Sequence, residues 1–92
     1  MALLDLLGRR WALRVVWELR TGEALTFREL QDRCGGISSS VLNDRLRELR
    51  DAAIVAAEPG GGYTLTGEGG ELLEALAPLS SWAQRWARRT SR

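Results

Sequence analysis

Histidine does not occur in these 92 residues, so the commonest general base and the commonest metal ligand are both missing. A single cysteine, Cys34, rules out an intrachain disulfide and a cysteine-built zinc site. Aromatic residues are sparse at 7%, and four of them are Trp, so large apolar surface is concentrated at a few positions. Lysine is also absent: all thirteen basic residues are Arg. Any basic contact is therefore made by a forked, planar donor suited to phosphate and guanine. Net charge is only +1, which gives no global argument for a polyanionic partner. No apolar run reaches membrane-spanning length, and "MALLDLLGRRW" has neither a basic n-region nor a long h-region, so no membrane partner and a cytoplasmic location are expected. Paired acids such as Glu71 and Glu74 fall on a helix face that reads as solvated. No catalytic residues, no metal site and no cofactor are expected, and the chain does not read as an enzyme.

What is present is punctuation. The length fits one small domain, 1–92, with 45% hydrophobic residues to build a core. Leu3, Leu4, Leu6 and Leu7 suggest a short first helix that stops at Gly8. A second helix is expected from about Arg9 to Arg20, with Trp11, Val15, Val16 and Leu19 near helical spacing and Thr21-Gly22 at its end. In "LTFREL", Thr26 and Glu29 stand at the two positions of a capping box, and Leu25 and Leu30 at those of a hydrophobic staple. That predicts a helix over about 27–33, closed by Gly35 in the left-handed conformation. The next helix starts three or four residues later, the spacing of a helix-turn-helix over about 27–52.

"GGISSSVLNDRLREL" opens that second helix with three serines instead of strong helix formers. Ser38 sits at the N-cap. Ser39 and Ser40 occupy the first turn, where backbone N–H groups have no intrahelical partner and favour a phosphate. Leu42, Leu46 and Leu49 make one apolar stripe, and Ser40, Asn43, Asp44, Arg47 and Asp51 occupy the opposite face. A recognition helix enters the major groove amino end first, and small hydroxyls permit close approach. The plainer reading makes Ser38 a simple cap and leaves the other two serines solvated. "IVAAE" and "GYTLT" read as strands around the turn "PGGG", a hairpin over about 54–65. A helical pattern returns over about 67–89 through Leu72, Leu73, Leu76, Leu79, Trp82 and Trp86, with Pro78 expected to break or kink it. Residues 58–74 carry four acids and no base, and residues 75–92 carry four Arg and no acid.

Together these motifs resemble the HxlR-type winged helix-turn-helix transcriptional regulators. "GRRWALRVVWEL" is similar to the family's G-x-K-W helix through Gly8, Trp11, Leu13 and Leu19, and "LTFRELQ" to its F-x-E-L helix. "GISSSVLNDRLRELRDAAIV" matches the recognition helix at Gly36, Ile37, Ser38, Leu42, Arg45, Leu46, Leu49 and Val55. "YTLTGEG" matches Y-x-L-T-x-x-G at Tyr63, Leu65, Thr66 and Gly69. Trp82 falls where the family has a tryptophan in its last helix. The resemblance implies a mainly α fold with a small β-hairpin (α+β) and dimerisation helices at both ends. It implies a bacterial homodimer that binds double-stranded DNA sequence-specifically at a pseudo-palindromic operator, usually as a repressor.

On that reading Ser38, Ser39, Ser40, Asn43, Arg45 and Arg47 face DNA, since Asn pairs bidentately with adenine and Arg with guanine. Arg28 is a candidate backbone clamp, as is Arg9 or Arg10. Asp44 would repel phosphate unless it accepts from a cytosine amino group or pairs with Arg47 or Arg45. Arg14 is a candidate buried ion-pair donor. Leu3, Leu7, Trp17, Leu76, Leu79, Trp82 and Trp86 are expected at the dimer seam. Many relatives carry an amino-terminal sensing cysteine; here no cysteine precedes Cys34, for which a buried packing role is expected. The wing tip "EPGGG" is short and carries no cation. An unidentified small-molecule effector is a further candidate partner. The alternative function is a winged-helix protein-interaction or small-molecule-sensing dimer with weak or no DNA binding.

Overall fold

The computed structural model describes residues 2–91. Along them run α1 (Ala2–Leu7), α2 (Ala12–Glu18), α3 (Phe27–Cys34), α4 (Ser39–Asp51), β1 (Val55–Ala57), β2 (Tyr63–Leu65) and α5 (Gly67–Thr90). The fold is mainly helical with one antiparallel hairpin, the winged helix-turn-helix that the punctuation predicts. The hairpin pairs Val55 with Leu65, Ala56 with Thr64 and Ala57 with Tyr63. Leu25 adds one more rung: its N–H donates to the Tyr63 carbonyl at 3.0 Å, and the Tyr63 N–H donates back at 2.7 Å. This joins the segment before α3 to the wing.

The core forms where the stripes meet. Val15 and Val16 of α2 with Leu19 just past its end, Leu30 and Cys34 of α3, and Leu42, Leu46 and Leu49 of α4 are all buried in one cluster. Leu42, Leu46 and Leu49 are the i, i+4, i+7 stripe, and each buried leucine contributes about 1.5–3 kcal/mol. The wing closes the cluster with Ile54 and Val55. α5 joins it through half-buried Leu72 and Leu73 and through one close backbone approach. Gly69 is buried so tightly that a Cβ there would collide with the Ile54 carbonyl oxygen. Thr66 caps α5 by accepting from the Gly69 N–H at 3.0 Å, and its hydroxyl donates to the Ala53 carbonyl.

Two boundaries differ from the expectations. α2 is shorter than Arg9–Arg20: it starts at Ala12 because Trp11 takes φ 78°, a left-handed conformation that no helix interior accommodates. Trp11 instead packs half-buried against the core, with the Arg10 guanidinium 5.4 Å from its ring centroid. Pro78 does not break α5, which runs unbroken from Gly67 to Thr90. Proline costs the helix one amide donor, and Glu74, whose carbonyl would receive it, stands in an exposed turn that solvent can reach.

Candidate nucleic-acid interface

The approach to α4 is held from both sides. The capping box of α3 is complete: the Glu29 N–H donates to Thr26 Oγ1 at 3.1 Å, and the Thr26 N–H donates to Glu29 Oε1 at 3.0 Å. Those hydrogen bonds, the backbone one first, hold the Glu29 carboxyl below its ordinary pKa. Leu25 and Leu30, the staple pair, are both buried. At the other end Gly35 takes φ 62°, and its N–H donates to the Gln31 carbonyl at 3.2 Å. Arg14 Nη2 donates to the Arg33 carbonyl at 2.8 Å, so a guanidinium from α2 caps α3. The expected ion pair of Arg14 is present with Glu18 at 2.7 Å, but it is not buried: the Arg14 side chain is 47% exposed.

Between the helices, buried Ile37 anchors the turn, and Gln31 stitches it. Gln31 Nε2 donates to the Ile37 carbonyl at 3.3 Å and to Ser39 Oγ at 2.9 Å. Nothing local in the sequence marks a glutamine that reaches eight residues ahead. Ser38 caps α4 by accepting from the Val41 N–H at 3.2 Å, and Ser40 Oγ lies 3.4 Å from Ser38 Oγ. All three serines are exposed, as are Asn43 one turn on and Arg47 one turn further. The first two turns of α4 therefore present hydroxyls, an amide and two backbone N–H groups without an intrahelical partner on one open surface.

Charges on that surface are partly tethered. Arg47 Nη2 bonds Asp44 Oδ1 at 3.0 Å, with the arginine side chain 63% exposed. Arg28, in the first turn of α3, is exposed and makes no ion pair among the described residues. Arg45 is placed differently from its expected companions. Its side chain is only 13% exposed, and Nη1 bonds Glu48 Oε1 at 2.8 Å. Glu48 sits one turn ahead, so the arginine folds down along the helix instead of reaching outward, and its buried Nε finds no partner among the described residues. Arg9 reaches the same Glu48 at 3.5 Å. The wing tip turns through Glu58 and Gly62, joined by a 2.9 Å backbone bond, and Glu58 accepts from the Thr64 hydroxyl at 2.6 Å.

This arrangement of capped helix, glycine turn, serine-fronted helix and hairpin is matched as a unit. Residues 6–91 fit the model of the HxlR-like helix-turn-helix proteins. The chain belongs to that family. It is 32% identical over 88 residues to YvaP of Bacillus subtilis, an HTH-type transcriptional regulator, covering 89% of this chain and 81% of that one. Among solved structures it is similar to quinone-bound YodB from B. subtilis, with 30% identity, a TM-score of 0.83, and 91% and 92% of the two chains covered. A MarR-family regulator from Enterococcus faecalis shares 34% identity at a TM-score of 0.84, over 97% of this chain and 86% of the other. The chain is thus a transcriptional regulator of the HxlR-like winged-helix type.

In this HxlR-like chain the residues expected at a dimer seam fall in two groups. Leu3, Trp17, Leu79, Trp82 and Trp86 are exposed, and Leu7 and Leu76 are half-buried. Trp17 lies under the Arg20 guanidinium, 4.1 Å from its ring centroid. Cys34 is buried in the core cluster, and burial pushes its thiol above the ordinary pKa, which disfavours the reactive thiolate. Among the described residues no helix is long and apolar enough to cross a membrane.

Proposed function

We propose that this chain is a sequence-specific DNA-binding repressor that acts as a homodimer on a pseudo-palindromic operator. The observation that carries the reading is the open amino end of α4, where Ser38, Ser39, Ser40, Asn43 and Arg47 are all exposed among the described residues. Ser39 and Ser40 supply hydroxyls and first-turn N–H groups to phosphate or base edges. Asn43 and Arg47 read bases, Arg47 exchanging Asp44 for a guanine or a phosphate. Arg28 clamps the backbone from the start of α3. Arg45 is left out of the contact set, because its guanidinium serves Glu48. The test is selection of bound fragments from a genomic pool, followed by mobility shifts. Asn43→Ala and Arg47→Ala should each weaken the selected site by about 1–3 kcal/mol, and Arg28→Ala should lower the salt slope by about one while weakening all sequences alike. Half-sites should lie about one helical turn, or a multiple of it, apart. If both α4 variants bind like the parent, α4 does not read the operator.

A second reading, a dimer that responds to a small apolar effector, is favoured by one feature. An open groove of about 490 Å³ runs between α2 and α5, lined by Leu13, Trp17, Leu73 and Leu76 among others. The similar YodB was solved with a quinone bound. Trp17 fluorescence across a panel of quinones and aromatic acids reads it directly, and an unchanged spectrum throughout removes it.

A further inference from the structure

The wing of this chain has no cation of its own to offer a nucleic acid. β1 is Val55-Ala56-Ala57, and the tip beyond it holds Glu58, Pro59 and Gly60 to Gly62. Residues 58–74 as a whole carry four acids and no base. The wing does not stand alone, however. An open groove of about 480 Å³ runs between the last turn of α4 and β1, lined by Arg47, Arg50, Asp51, Val55, Ala56 and Ala57. Its strand wall ends in small side chains, which let an anion approach closely. Its helix wall carries the charge.

The two arginines on that wall differ. Arg47 is tethered to Asp44 at 3.0 Å. Arg50 is exposed and makes no ion pair among the described residues. Asp51 shares the wall and pairs with neither guanidinium. Two guanidiniums against one carboxylate leave the lining with one positive charge.

Position along the helix decides what Arg50 can reach. Ser40, Asn43, Arg47 and Arg50 follow at i, i+3, i+7 and i+10, so they form one line along α4. Ten residues at about 1.5 Å each set Arg50 about 15 Å from Ser40. The major groove of a duplex is about 8.5 Å deep. A helix that enters amino end first, with Ser40 near the floor, therefore carries Arg50 out to the rim, where phosphates stand.

We propose that Arg50 is the phosphate clamp of the wing: it holds one backbone phosphate of the bound duplex in the α4–β1 groove, supplying from the helix the cation that the strand and its tip lack. The proposal rests on the DNA-binding reading above and adds a residue whose task differs from that of Asn43 and Arg47. A phosphate contact strengthens binding and fixes how the helix sits, but it reads no base. Arg50 also stands in the last turn of α4, where a cation favours the helix dipole. That contribution acts on folding, and it leaves the salt dependence of DNA binding alone.

Three full-length proteins test the clamp: the parent, Arg50→Gln, and Arg50→Gln combined with Ala57→Arg. Each is titrated by fluorescence anisotropy onto a duplex selected from the genomic pool and onto a scrambled one, across a salt series, with circular dichroism to verify folding. Arg50→Gln should weaken both duplexes by the same factor and lower the salt slope by about one for each chain bound. Ala57 is exposed on the opposite wall of the same groove, so an arginine there should return the slope that Arg50→Gln lost. An unchanged slope in Arg50→Gln overturns the clamp. A loss confined to the selected duplex makes Arg50 a base reader and overturns it as well. A combined variant that stays as weak as Arg50→Gln puts the phosphate outside the groove and overturns the site. In all three cases the parent still binds its selected duplex, and the DNA-binding reading stands. A parent that binds neither duplex overturns both.

Discussion

Between Leu25 and Leu49 every helix end is closed from within the chain: Thr26 and Ser38 cap the starts, Gly35 and the Arg14 guanidinium cap the finish of α3, and each helix buries its stripe. Between Ala77 and Thr90 the backbone is just as regular, yet the large side chains are exposed and the arginines make no ion pair among the described residues. The first region is specified by what lies within three or four residues and by one core. The second is amphipathic without a counterpart, which is how a sequence records a surface meant for something outside its own fold. Trp82 and Leu46 are both large apolar residues on helices, and only the packing around them separates their roles.

The largest expected effect comes from treating those two regions alike. Leu46→Ala opens a cavity in the cluster and should cost about 2–5 kcal/mol, lowering the melting temperature at every protein concentration. Trp86→Ala removes a side chain that is 49% exposed. It should leave the dilute chain's melting temperature nearly unchanged and abolish its rise with protein concentration, because that rise reports association. If Trp86→Ala unfolds the dilute chain as Leu46→Ala does, the far half of α5 belongs to the core after all.

The joint between the two regions comes next. Gly69 is where the backbone of α5 comes tightest against the body, at the Ile54 carbonyl that also accepts the Thr66 N–H at 3.0 Å. Gly69→Ala should cost about 1–3 kcal/mol in urea unfolding, since backbone has to move to admit the methyl group. Gly70→Ala, where a Cβ meets nothing, should not. An unaffected Gly69→Ala would mean that α5 is hinged there instead of fixed.

Smaller again is the box that starts α3. Thr26→Ala should cost about 1 kcal/mol. The Glu29 carboxylate is favoured in the folded state, so its contribution is in full above the ordinary carboxylate range and is lost as pH falls through the lowered value. Glu29→Gln keeps an acceptor but no titrating group. Thermal melts across the acid range should therefore show a shallower loss for Glu29→Gln than for the parent.

Sequence alone carried the features whose causes are local. The T-x-x-E box, the staple, the Gly35 cap and the Leu42-Leu46-Leu49 stripe need only their own neighbours, and all four stand as read. What went astray was decided across the chain. Trp11 leaves the helix because its indole packs on the core while Arg9 reaches Glu48 of α4. Arg45 turns down to Glu48, although the wheel shows it only as a residue beside the stripe. The Leu25–Tyr63 rung and the Gln31–Ser39 bond join residues with no shared periodicity. Pro78 removes one helix hydrogen bond, and in an exposed turn that loss is small enough for α5 to continue through it. For the DNA-facing surface the sequence supplied residue types and their helix face, and the tether of Arg47 to Asp44 emerged only in three dimensions.

The smallest effect concerns strain, and the body holds it all. Ala53, just past α4, takes φ 61° and sits where a helix usually ends on glycine. The motif around it is complete: the Ala53 N–H donates to the Arg50 carbonyl at 2.9 Å, and the Ile54 N–H to the Leu49 carbonyl at 2.9 Å. Alanine in that conformation costs about 1–2 kcal/mol, and the flexibility glycine adds to the unfolded chain costs about 0.4–1 kcal/mol. Ala53→Gly should thus stabilise the chain by a few tenths to about 1 kcal/mol in urea, with self-association unchanged. That pairing of outcomes matters more than the size of either. A gain in stability that left association alone would show the helix-turn-helix and the far half of α5 answering to separate forces, one set inside the chain and one set by its partner. A change in association on relaxing a residue at the head of the wing would instead show that the turn after α4 transmits to α5 through Thr66, whose hydroxyl bonds the Ala53 carbonyl itself.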